Sequence, residues 1–133
     1  ELLVATMAHE SLGGTYLCQL KGPALGVYQM EPKTHDDLWN TILVRDQNVR
    51  WKMMKALNTA SNPSASRMAW DLYYATFMAR MLYLRITDPL PPHDNIDLIW
   101  QYYKSFWNTD LGAAKKDEFI KNYNVFIGKV AKK

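Results

Sequence analysis

Apolar positions recur at helical spacing along most of this 133-residue chain, and the longest such pattern runs from about Ala65 to Ile86. There Met68, Leu72, Ala75, Ala79, Leu82 and Ile86 form one stripe, which predicts an amphipathic helix. Trp70, Tyr73, Tyr74, Phe77, Met78 and Met81 widen the stripe, so this helix is expected to be buried on most sides. Leu2, Leu3, Ala5, Met7 and Ala8 predict a short first helix that arrives at Glu10 and stops at Gly13-Gly14, where helix propensity fails. Thr34, with Asp37 three residues on, reads as a capping-box-like start of the next helix, Asp36 and Asp37 suiting its positive end. Val49, Met53 and Leu57 mark a third helix near 47–58, and SNPSAS at 61–66 is a turn. After Pro89, Pro91 and Pro92, Asn95 or Asp94 caps a fifth helix to about Phe106, carrying Ile96, Ile99, Trp100, Tyr103 and Phe106. The last helix, about 115–131, puts Phe119, Ile120, Tyr123, Phe126, Ile127 and Val130 on one face. The sum is an all-α fold of about six helices with one irregular region. That region, residues 13–33, reads as a loop or short hairpin punctuated by Gly22-Pro23, Gly26 and Pro32.

The length suits a single domain over 1–133 rather than two. With 48% hydrophobic and 22% charged residues, the chain has enough apolar material to fold and too little charge to stay disordered. No apolar run approaches the roughly 20 residues that span a bilayer. The opening ELLVATMAHES does not read as a signal peptide, and the lack of an initiator methionine fits a trimmed product. A single cysteine, Cys18, rules out an internal disulfide framework and leaves the compartment open. The net charge of +3 favours anionic surfaces, a bacterial wall among them. No helix carries a clustered basic face, which argues against a nucleic-acid partner, and Lys129, Lys132 and Lys133 read as a solvated helix end.

Several chemistries fail on spacing. His9-Glu10 resembles the start of a zinc-protease motif, but Gly13 stands where the second histidine belongs, so no metal is expected. Cys18 has no histidine at a diagnostic distance and reads as an inert apolar residue; no phosphate-binding glycine loop and no GxSxG is present, and no cofactor is implied. Glu10 is the better candidate. A carboxyl at a helix end, between Met7 and an apolar loop, can lose water, and desolvation lifts a glutamic acid from about 4.3 toward about 6. Such a group can protonate a glycosidic oxygen and later accept a proton from an attacking hydroxyl. A surface glutamate before a turn has the same sequence, and periodicity alone does not separate the two. Trp39, Trp51, Trp70, Trp100 and Trp107 could stack on sugars, but at helical spacing they are expected in the core, as are Met53, Met54, Met68, Met78 and Met81.

The order Glu10-Ser11, a glycine-bounded loop, then Gly26-Val27-Tyr28-Gln29-Met30-Glu31-Pro32-Lys33-Thr34 resembles the lytic transglycosylase branch of the lysozyme superfamily. That family has a Glu-Ser pair, a Gly-Leu-Met-Gln segment a loop later, and Pro-x-Thr opening the next helix. GPALG, YQMEP and THDD in succession are also similar to lysozyme-like domains carried by tailed bacteriophages. The resemblance covers residues 8–39. It implies a lysozyme-like helical fold, Glu10 as the single acid/base, and a sugar cleft lined by Gly26, Tyr28 and Gln29, with Met30 and Glu31 following. Tyr28 replaces the usual methionine and would either pack on a sugar face or fill core. The family's Ala-Tyr-Asn signature has its nearest counterpart at Tyr102 in WQYYKSFWNT, with Tyr103 in the asparagine's place. The implied activity is cleavage of the bond between N-acetylmuramic acid and N-acetylglucosamine in bacterial peptidoglycan, giving a 1,6-anhydro product. Glu31, Asp36 or Asp37 could instead position water for hydrolysis. The implied setting is a phage virion or tail, with other tail proteins as partners, acting in the host wall or periplasm. The altered third signature also fits a virion component that keeps the fold without catalysis.

Overall fold

The computed structural model describes residues 1–109 and 112–130, the last three by backbone alone; Lys132, Lys133 and the side chains of Lys129 and Val130 lie outside the described residues. The fold is all-α. Its helices are α1 (Leu2–Glu10), α2 (Pro32–Leu38), α3 (Gln47–Ala56), α4 (Leu72–Leu84), α5 (Ile96–Tyr103) and α6 (Lys116–Val130). Among the described residues no strand forms; pairing in the 13–33 region is confined to single bridges, Cys18 with Leu25 and Leu25 with Met30.

α4 is the central helix, burying Tyr74, Ala75, Met78, Ala79, Leu82 and Tyr83. The single helix expected over 65–86 is in fact two pieces, a 3₁₀ turn Ala65–Ala69 and then α4. Asp71 breaks it. Its backbone is extended, and its carboxylate accepts the Tyr74 N–H at 3.0 Å and the Arg67 Nε–H at 2.8 Å, so it serves as the N-cap of a new helix. The break also corrects the expectation of burial on most sides: Trp70, Leu72 and Tyr73 are 71%, 58% and 61% exposed. Trp51, at 60%, is likewise outside the core.

α2 starts two residues earlier than expected, at Pro32, whose fixed φ suits a first turn. Thr34 is therefore inside the helix and caps nothing. Asp36 instead meets His35 Nδ1 at 2.7 Å and Asp37 accepts from Arg85 at 3.0 Å. His35 is buried, and a polar chain ties α2 to α4. The Trp39 indole N–H donates to the Tyr74 hydroxyl oxygen at 2.7 Å, and the same hydroxyl is hydrogen-bonded to His35 Nε2 at 2.6 Å.

α1 packs against α4, α5 and α6. Thr6, fully buried, donates to the Leu2 carbonyl and takes the Tyr83 hydroxyl at 2.8 Å, pinning α1 to α4. Ala5, Ile99, Tyr103 and Phe119 form a core shared by α1, α5 and α6, while Met53, Met68, Met78 and Leu38 belong to a second around α4. α3 and α5 match the expected spans closely, capped by Asp46 and Asn95. After Tyr103 the helix widens into a π-helical turn, Lys104–Asn108.

Candidate active site

Glu10 is the last residue of α1, and the chain leaves it sharply. Ser11, fully buried, donates its hydroxyl to the Met7 carbonyl at 3.2 Å and accepts the Gly14 N–H at 2.8 Å. Leu12, Gly13 and Gly14 all have positive φ, and the Phe126 ring occupies the space a Cβ on Gly13 would need. The serine of the Glu-Ser pair is thus a brace for the turn, and the turn leaves Glu10 facing an open cleft of about 620 Å³. Glu10 and Leu82 lie on one side of it, with Met30, Glu31 and Thr34 entering from the start of α2. Gln19, Ala24 and Gln29 line it from the 13–33 loop, and Trp107, Asn108 and Gly112 from the turn after α5 and the segment that follows.

The carboxyl of Glu10 is pushed up from 4.5 to about 7, chiefly by burial, against the opposing pull of hydrogen bonds from Tyr103 and Trp107. Its place at a helix C-terminus, the negative end of the dipole, also disfavours the charge. Tyr103 donates its hydroxyl to Glu10 Oε1 at 2.6 Å. Burial and the neighbouring carboxylate drive the Tyr103 phenol far above its ordinary range, so it stays a donor. Beside it, the His9 ring packs between Tyr103 and Phe119, and desolvation holds its pKa down. His9 is half-buried and is used in packing, its Nδ1 lying 3.3 Å from the Asn122 side-chain amide.

The other expected site residues divide. Gln29, Met30 and Glu31 line the cleft with Glu10. Gln29 has φ of 46°, held by its own Nε2, which donates to the Gly26 carbonyl at 2.8 Å and the Tyr16 carbonyl at 3.1 Å. Gly26 does not touch the cleft: at φ of 73° it lets the loop pass against the Met68 carbonyl, where a Cβ would collide. Tyr28 takes the core alternative, 4% exposed, its hydroxyl 3.4 Å from Thr76 and its ring against Trp107. Cys18 is exposed rather than packed.

Tyr102 requires correction. Its hydroxyl donates to the Asp88 carbonyl at 3.1 Å and its ring packs on Phe106, on a surface away from the cleft. The tyrosine that meets Glu10 is Tyr103, which clusters with Ala5, Ile99 and Phe119, while Tyr102, about 100° round the helix, packs on Tyr83 and Phe106. The apolar stripe of α5 already carried that signal. Trp107 was expected only as core; it packs on Tyr28 and Tyr83 yet also lines the cleft and meets Glu10. The π-helical turn sets Trp107 and Asn108 along the cleft after Tyr103, and π-turns of this kind are frequent at functional sites. No family model, no curated protein and no solved structure matches this chain.

Proposed function

We propose that this protein cleaves the glycosidic bond between N-acetylmuramic acid and N-acetylglucosamine in bacterial peptidoglycan, with Glu10 as acid and then base. The observation that carries the reading is a desolvated carboxyl, pushed up to about 7, held by Tyr103 at 2.6 Å and lining an open cleft of about 620 Å³. In the first step the Glu10 carboxyl gives its proton to the glycosidic oxygen, the C1–O bond breaks, and the glucosamine side leaves as an alcohol. The neighbouring acetamido group supports the cationic carbon. In the second step the carboxylate takes the proton of the muramyl C6 hydroxyl, the O6–C1 bond closes, and Glu10 returns to its acid form. Glu31 lines the same cleft and is the group that would guide water if the product were hydrolytic. The likeness of residues 8–39 to lysozyme-like domains of tailed phages supports a virion or tail setting, acting on the host wall or periplasm.

Turbidity clearing of purified peptidoglycan tests the reading. The wild type is expected to clear it and Glu10→Gln to lose about a hundredfold or more, as removal of a general acid does. Equal clearing by both removes Glu10 from the chemistry, and no clearing by the wild type leaves a non-catalytic helical component. Mass spectrometry of the released muropeptides then separates anhydro ends from reducing ends.

A further inference from the structure

Next to the Glu10 cleft lies a second hollow of about 410 Å³, bounded by Tyr16, Leu20 and Lys21 and by Gln19 and Gln29. The two glutamines also line the cleft, so the hollows adjoin across them. The backbone fixes how each amide is turned. Gln29 Nε2 uses its hydrogens on the Tyr16 and Gly26 carbonyls, which leaves Oε1 as an acceptor. Gln19 Oε1 accepts the Ala24 N–H at 3.3 Å, which leaves Nε2 as a donor. One donor and one acceptor on a shared rim match the N–H and C=O of a peptide group.

The remainder of the hollow is apolar with a cation at its edge. The Gln19 N–H bonds the Ala24 carbonyl at 3.0 Å and the Gly26 N–H the Leu17 carbonyl at 2.8 Å, closing a hairpin-like turn with Leu20 and Lys21 at its tip. Leu20 is 88% exposed there and Tyr16 half-exposed. The residues bounding the hollow include no acid, so Lys21 sets its charge preference. A sugar chain rich in neutral hydroxyls has no use for a leucine and a lysine together. A short peptide with methyl side chains and carboxylates uses both.

We propose that this hollow binds the acidic peptide branch of the wall polymer while the neighbouring cleft holds its sugar chain, an inference that rests on the glycan-cleavage reading. Two measurements test it. In the first, ¹⁵N-labelled Glu10→Gln protein, which cannot turn substrate over, is titrated with a soluble muramoyl tripeptide bearing free carboxylates. Amide shifts are expected at Tyr16, Gln19, Lys21 and Gln29, and their loss on adding Lys21→Glu; shifts that are absent or lie elsewhere overturn the inference. In the second, kcat/KM is compared on peptide-bearing glycan strands and on the same strands stripped by an amidase. The wild type should prefer the peptide-bearing strands about fivefold, the order an exposed ion pair allows, and Lys21→Glu should bring the two to parity. An equal preference in both proteins overturns the inference. Should the wild type cleave neither strand, the glycan-cleavage reading fails, and the titration still decides whether the hollow takes the peptide.

Discussion

At the scale of single residues, the state of Glu10 couples the proposed activity to stability. Its folded-state pKa of about 7 lies above the ordinary 4.5, so between those values the native protein holds a proton the unfolded chain has released. Native stability from this group is complete below about 4.5 and is lost as pH rises through about 7. Glu10→Gln does not titrate. Urea unfolding of the two proteins from pH 4 to pH 8 should therefore show the variant gaining on the wild type across that window, by up to about 3 kcal/mol. A pH-independent difference would mean the acid is not desolvated. Tyr103 works in the opposite sense, because its hydrogen bond favours the carboxylate. Tyr103→Phe should raise the Glu10 pKa and move the alkaline limb of kcat/KM to higher pH, whereas Tyr102→Phe, bonded to the Asp88 carbonyl, should leave that limb where it is. A shift caused by Tyr102→Phe instead would return the tyrosine role to that residue.

At the scale of elements, periodicity together with caps, glycines and prolines located the helices, and periodicity failed where one side chain redirected the backbone. The stripe from Met68 to Ile86 runs without a visible interruption, yet Asp71 caps within it, because an acid in an aromatic run can either face water in a continuous helix or bond the N–H three residues on. Thr34 invited a cap that Pro32 pre-empted. In the site, Glu10 and the Gln29 segment were legible because glycines and a proline frame them. Tyr103 was legible only through the stripe of α5, and Trp107 was hidden because a π-turn changes which side chains follow Tyr103 along the cleft. The glycine at 26 serves the backbone. It is needed for a left-handed φ of 73° against the Met68 carbonyl, not for contact with substrate. Gly26→Ala should thus lower stability by about 2 kcal/mol or more, from the left-handed backbone and the collision together, read as a lower urea midpoint. An unchanged midpoint would mean that the loop can move off Met68 freely.

At the scale of the whole molecule, the cleft lies along the seam between two packed clusters. Glu10 and Tyr103 come from the side built on α1, α5 and α6, with Phe119 at its centre. Met30, Leu82 and the start of α2 come from the side built around α4. Trp107 packs against both, and the buried Thr6–Tyr83 bond joins α1 to α4 beneath the site. The acid and the loop wall that faces it are therefore held in register only while the two clusters stay together, which ties the site's geometry to the cooperativity of the fold. The expected consequence is a single transition. Far-ultraviolet circular dichroism reports the helices, and tryptophan fluorescence reports all five tryptophans, among them Trp39 in the α4 cluster, Trp100 in the other and Trp107 between them. Their urea curves should coincide in midpoint and slope. If fluorescence changed first while most helicity remained, the seam would be opening before the clusters melt, and the pairing of Glu10 with the Gln29 wall would depend on a weak contact rather than on the shared core.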